Sequence, residues 1–240
     1  MSPSERMQAD ARKADILMAA LTVFAMKGFA ATTTKDLAKA AKVSEGLLYK
    51  HFPSKESLYQ ELGRFIGLES VGVSNEVARI VPSTQSLIVG IYYLTRMVLS
   101  GPCGGEKEHD YLLRMMCRSL LEDGLFAKAF MEGAFLPYVE PLEAFFEAAR
   151  KAGDLHTTKA SDRFGIFFSH HLMVGVRLHS LRKGSHLEED ADILLRESVL
   201  FNLRGIGLKE AAIRKHCDFK KLDRWYADVF DLGPAQAKRK

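Results

Sequence analysis

The stretch GFAATTTKDLAKAAKVSEGLLYKHF, Gly28 to Phe52, decides the fold of the N-terminal part of this chain. Thr33 stands where a helix begins, and Asp36 follows three residues later, the Ser/Thr-x-x-Asp/Glu spacing of a capping box. The helix so started is short, from Thr34 to Ala41. Lys42 and Val43 make a tight turn, and Ser44 is a second N-cap, opening a helix over Glu45 to Phe52. Leu48 and Phe52 sit at i, i+4 on its inner side, toward Val43 and Leu37. Ala38, Ala40 and Ala41 leave room for the two helices to cross closely. Two short helices joined by a tight turn form a helix-turn-helix, whose second helix lies in the major groove of DNA.

The outward residues of the second helix suit that task. Its first turn aims backbone N–H groups and a positive dipole end at any phosphate alongside. Gly46 costs about 1 kcal/mol of helix propensity relative to alanine, which a close backbone approach to a partner would explain. Tyr49 offers a hydroxyl to phosphate, Lys50 a charge or a guanine contact, Leu47 an apolar tip for a thymine methyl, and Glu45 an acceptor for a cytosine amino group. Lys55, at the first position of the next helix, opposes the helix dipole, which makes sense if both attract one phosphate. Thr33, Ser44 and His51 complete the set expected at DNA.

Working outward, Ile16, Ala20 and Phe24 stack at helical spacing beside Leu17 and Leu21, predicting a first helix over Ala11 to Lys27, with Gly28 as its terminating glycine. Further helices are expected near Lys55 to Ile80, Ser83 to Leu99, Glu108 to Glu122, Lys159 to Lys183 and Glu188 to Ile206. Another should start with Pro141 in its first turn and run to Lys151. A GPCGG turn covers Gly101 to Gly105, and a polar region holding Trp225 leads to a KRK tail. No stretch alternates as a strand would, so the fold class is all-α: an N-terminal three-helix helix-turn-helix domain, 1–53, joined to a larger helical-bundle regulatory domain, 54–240.

Composition agrees with a globular protein: 240 residues, 47% hydrophobic and 27% charged. The net charge of +4 is small, but both ends are basic and the middle acidic, as expected if one end meets a polyanion. The first residues, MSPSERMQADARKAD, have no apolar segment behind a basic start, and no apolar run spans a bilayer, so a cytoplasmic protein with no membrane partner is expected. Cys103, Cys117 and Cys217 are too widely and unequally spaced for a disulfide framework or zinc, leaving buried or incidental thiols.

The chain resembles the TetR family of bacterial transcriptional regulators. The resemblance rests on Ile16-Leu17 with Ala20 and Phe24, Gly28-Phe29, Thr32-Thr33-Thr34, Leu37-Ala38, Ala40-Ala41, Val43-Ser44, Gly46, Leu48-Tyr49, His51-Phe52 and Lys55-Glu56 with Leu58. It covers about a fifth of the sequence, and Lys42 departs from the glycine more usual in the turn. It implies a homodimer on a pseudo-palindromic operator in double-stranded DNA, a repressor released when a small molecule fills the C-terminal domain. Regulation without an effector, or as an activator, is the alternative.

The two expected helices near Lys159 to Lys183 and Glu188 to Ile206 are apolar around most of their circumference and must be covered on two sides. A core on one side and a symmetry mate on the other would make a four-helix dimer interface, with Gly165 and Gly175 allowing close approach. Candidates for lining an effector pocket are Tyr92, Tyr93, Tyr111, Arg114, Met115, Phe167, His170 and His171. The adjacent histidines lack the i, i+3 or i, i+4 partner a metal needs, so neither metal nor cofactor is expected. There is no nucleophile elbow, P-loop, dinucleotide turn or H-E-x-x-H, so no catalytic site is expected.

Overall fold

The computed structural model describes residues 3–101, 106–180 and 190–229. Cys103, most of the GPCGG turn and the KRK tail lie outside the described residues. The described chain is helical, with an isolated bridge between Leu155 and Leu208. It divides into two compact units, Met1–Val71 with Gly105–Leu136 and Gly72–Gly104 with Pro137–Lys240.

The first unit is built on α1 (Pro3–Lys27), α2 (Thr34–Ala40), α3 (Glu45–His51), the first part of α4 (Lys55–Ala78), α6 (Glu106–Leu121), α7 (Leu125–Phe130) and a π-helical turn (Met131–Phe135). Helix α1 begins eight residues earlier than the apolar spacing predicts. Pro3 suits a first helical turn, and the polar residues after it are good helix formers that a search for apolar stripes passes over. Its end is as expected: Gly28 takes φ +80°, and its N–H donates to the Phe24 carbonyl at 2.8 Å. Ile16, Leu17, Ala20, Leu21 and Phe24 of α1 pack with Leu37 and Leu48, and Leu58, Tyr59, Leu62, Met115 and Phe126 complete the core. The hydrophobic support of the helix-turn-helix therefore extends into α4, α6 and α7.

In the second unit α9 (Asp162–Ser180), α10 (Ala191–Gly205), α11 (Glu210–His216) and α12 (Phe219–Val229) all pack on α5 (Thr84–Ser100), whose Leu87, Ile88, Ile91, Tyr92 and Tyr93 are fully buried. Helix α8 (Leu136–Lys151) approaches α5 closely at Gly90. A Cβ there would stand 2.2 Å from a Leu142 methyl, and the Tyr138 hydroxyl donates to the Gly90 carbonyl at 2.6 Å. Pro141 lies inside α8, not in its first turn. Proline in a helix forfeits one backbone hydrogen bond, and here burial of Tyr138, Val139, Leu142, Phe145 and Phe146 overrides that local signal. Helices α11 and α12 replace the expected polar region. In α12 Phe219, Leu222 and Tyr226 form a single stripe among charged residues, which average polarity conceals.

Helices α9 and α10 each have an inner and an outer side. Ile166, Met173, Leu195, Val199 and Leu203 are buried. Phe164 and Phe168, stacked on each other, are each 59% exposed, as is Phe201 at 60% and Ile193 at 50%. Among the described residues Gly175 has open space around it and Gly165 is in ordinary contact with Ile206, so neither is required by packing there.

Candidate nucleic-acid interface

The helix-turn-helix is pinned by short-range polar contacts. The capping box forms: the Asp36 N–H donates to Thr33 Oγ1 at 3.1 Å, and the Thr33 N–H donates to Asp36 Oδ2 at 3.1 Å. Lys27 at the end of α1 lies 2.7 Å from the other Asp36 oxygen. The Lys27 ammonium and then the Thr33 donors hold the Asp36 carboxyl down at about 2. In the turn the Val43 N–H donates to the Ala38 carbonyl at 2.9 Å, and Lys42 takes φ 55°. That is the left-handed region, where a side chain costs about 1–2 kcal/mol and glycine does not, which gives the departure at Lys42 a physical meaning. Ser44 Oγ then accepts from the Leu47 N–H at 3.1 Å and starts α3.

Leu48 and Phe52 are buried as expected, which fixes the rotation of α3. Glu45, Gly46, Tyr49 and Lys50 are exposed, with Leu47 and His51 half-buried beside them. A Cβ on Gly46 would meet nothing nearer than Ser44 Oγ at 3.9 Å, so nothing among the described residues demands glycine there. One residue escaped the sequence: Thr34 Oγ1 donates to Glu45 Oε2 at 3.1 Å and lies 3.5 Å from the Tyr49 hydroxyl, tying α2 to the outward groups of α3. In a run of three threonines, only the cap was marked by spacing.

Lys55 is placed differently from expectation. Its ammonium donates to the carbonyls of Phe29 and Thr32, both at 2.9 Å, and lies 4.3 Å from the centre of the Phe29 ring. The charge is turned into the α1–α2 loop, where two carbonyls and an aromatic face compensate its position at the start of α4. Nearby, Thr32 is buried, and its hydroxyl donates to the Gly28 carbonyl at 2.6 Å. The loop that carries the Thr33 cap is thus held from both ends.

The pocket candidates fall in both units. Met115 is part of the first unit's core, Tyr111 packs against that core, and Arg114 is exposed. In the second unit Tyr92 and Tyr93 are fully buried on α5, and Phe167, His170 and His171 lie on α9. Burial, and secondarily the neighbouring His171, pushes the His170 imidazole down to about 3. The exposed His171 ring nitrogen Nδ1 lies 2.7 Å from the Phe167 carbonyl. Among the described residues, no helix is long and apolar enough to cross a membrane.

Residues 16–62 match the family described as "Bacterial regulatory proteins, tetR family". Over 64 residues the chain is 41% identical to the HTH-type transcriptional repressor KstR2 of Mycolicibacterium smegmatis, covering 27% of this chain and 31% of that protein. It is 33% identical over 114 residues to the nucleoid occlusion factor SlmA of a Marinomonas species, covering 48% of this chain and 52% of the other. The matched stretch thus spans about half or less of these relatives. The structure of NalD, the secondary repressor of the MexAB-OprM multidrug efflux pump in Pseudomonas aeruginosa, superposes with a TM-score of 0.60 at 23% identity, covering 84% of this chain and 99% of that one. FadR of Bacillus subtilis, in complex with stearoyl-CoA, does so at 0.59 and 15% identity, covering 80% and 97%. These last two likenesses concern the fold. The matched stretch contains the capped helix-turn-helix, so residues 16–62 are similar to the helix-turn-helix segment of the tetR family of bacterial regulatory proteins.

Proposed function

We propose that this protein is a homodimeric repressor that binds a pseudo-palindromic operator in double-stranded DNA and is released by a small, largely apolar effector. The observation that carries it is α3: a helix rotated by Leu48 and Phe52 so that Glu45, Gly46, Tyr49 and Lys50 face solvent, its start fixed by Ser44. Residues 1–53 supply the DNA contacts and residues 54–240 the effector site and dimer interface. Thr33 and Ser44 fix the two helix starts at the phosphates, Tyr49 and Lys50 bind phosphate or a guanine edge, and Glu45, Leu47 and His51 lie along the groove. Lys55 holds the loop behind Thr33, so its service to DNA is positional.

Phe164, Phe168, Ile193 and Phe201 give α9 and α10 an apolar outer side that a second copy of the chain would cover, placing two α3 helices on one duplex. An effector releases DNA only by favouring the arrangement that does not fit the operator. Helix α4, which starts at Lys55 and continues past Val71 into the second unit, is the element through which such a bias would travel. Coupling of about 1–3 kcal/mol lowers operator affinity about 5- to 150-fold.

The test combines sedimentation with selection of bound DNA. Expected are a dimer at micromolar concentration and two-fold related half-sites roughly 34–36 Å apart or a multiple of that. A wild-type monomer, or a selected site lacking two-fold symmetry, refutes the proposal.

A further inference from the structure

Helix α12 covers the two tyrosines of α5 in an unusual way. Trp225 lies edge-on to Tyr93 at 6.0 Å, and Tyr226 lies 5.4 Å from Tyr93 and 6.4 Å from Tyr92. Phe219 lies 6.4 Å from Tyr92. Within these rings Arg96 stands 4.3 Å from the centre of Tyr226 and donates to Asp223 Oδ1 at 2.8 Å and to the Tyr92 hydroxyl. The Tyr92 hydroxyl in turn donates to the same Asp223 oxygen. Arg196 of α10 approaches the second Asp223 oxygen at 3.7 Å and lies 5.1 Å from Phe219.

The α5 side of this contact is a set of groups on a buried helix: a guanidinium whose Nη1 reaches both Asp223 and the Tyr92 hydroxyl, a phenol donor and two aromatic faces. The α12 side offers one carboxylate flanked, at i−4 and i+3, by two aryl rings. A helix of 11 residues is marginal by itself, and α12 is held on α5 and α10 through Phe219, Leu222, Asp223, Trp225 and Tyr226. A guanidinium attracts a carboxylate from any source, and aromatic faces take any apolar body.

We propose that Tyr92, Tyr93 and Arg96 form a binding site for an organic carboxylate with an apolar, aryl-containing body, and that α12 masks it, Asp223, Phe219 and Tyr226 serving as a built-in substitute for that ligand. The ligand carboxylate takes the place of Asp223 on Arg96 and Tyr92, and α12 leaves α5. The apparent affinity is the intrinsic affinity reduced by the small fraction of molecules with α12 undocked. This deepens the effector reading above and rests on it for its regulatory meaning, while the binding step itself needs no DNA.

The single tryptophan, Trp225, reports α12 directly. The full-length protein is titrated with phenylbutanoate and, separately, with its uncharged counterpart phenylbutanol, following Trp225 emission. Expected is a saturable red shift with the acid and none with the alcohol. Asp223→Asn, which weakens the mask, should lower the half-saturating concentration about fivefold or more, and Arg96→Gln in that background should abolish the gain. Because the first variant improves binding, loss of folding cannot imitate it. No shift with the acid, an equal shift with the alcohol, or a gain that survives Arg96→Gln overturns the site. Saturable, Arg96-dependent binding that leaves operator affinity unchanged supports the site and counts against its role as the effector switch.

Discussion

The helix-turn-helix and the α5-centred unit are both helical, yet they are specified over different distances along the chain. In the first, the capping box spans three residues, the Thr34–Glu45 bond eleven, and the Lys55 bonds 23 and 26. In the second, the Tyr138–Gly90 bond spans 48 residues, Thr84–Asp154 70, Asn202–Thr95 107 and Tyr92–Asp223 131. Local contacts restrict few residues and leave a readable spacing behind. Distant ones exist only after the chain has folded, and any of many residue types at either end would satisfy the spacing. The caps and turn of the helix-turn-helix are therefore set by local contacts, although its apolar core reaches to Met115 and Phe126, whereas the α5-centred unit is tied together by polar contacts of long reach.

The largest effect is expected at a long-range contact. Gly90→Val places a branched side chain where Leu142 already lies, with an expected cost of about 3 kcal/mol, the upper part of the overpacking range. Urea unfolding would show a lower midpoint. Stability within 0.5 kcal/mol of wild type would mean that α5 and α8 adjust freely, and that packing there is not decisive.

A contact of intermediate reach separates support from binding. Lys55→Met should cost about 1–3 kcal/mol, because it removes two charged hydrogen bonds from the α1–α2 loop. The salt dependence of DNA binding, among molecules still folded, should stay as it was. Lys50→Met should do the reverse: stability within about 0.5 kcal/mol, and a salt slope smaller by about one. A slope reduced by Lys55→Met would return that lysine to the phosphate.

The smallest effect belongs to the turn. Lys42→Gly relieves a left-handed backbone at the expense of a more flexible unfolded chain, for an expected net stabilisation of about 0.5–1 kcal/mol. A thermal melt of the two proteins side by side measures it. Destabilisation would show that the Lys42 side chain itself contributes to the turn.

By itself the sequence determined the helical class, the end of α1 at Gly28, both caps of the helix-turn-helix, and the inward set Leu37, Leu48 and Phe52, since each follows from residue type at short spacing. It also marked Glu45, Tyr49 and Lys50 as outward, because an inward Leu48 on the seven-residue α3 and an inward Phe52 at its C-cap fix the rest. Only the tertiary structure decided that Lys55 turns inward, that Met115 belongs to the core around α1, and that Pro141 lies within a helix. The same holds for α12 and its hold on Tyr92 and Arg96. The physical reason is common to all four: a lysine, a methionine, a proline or one apolar stripe has several low-energy environments, and the choice depends on which distant atoms folding brings within hydrogen-bonding or van der Waals reach.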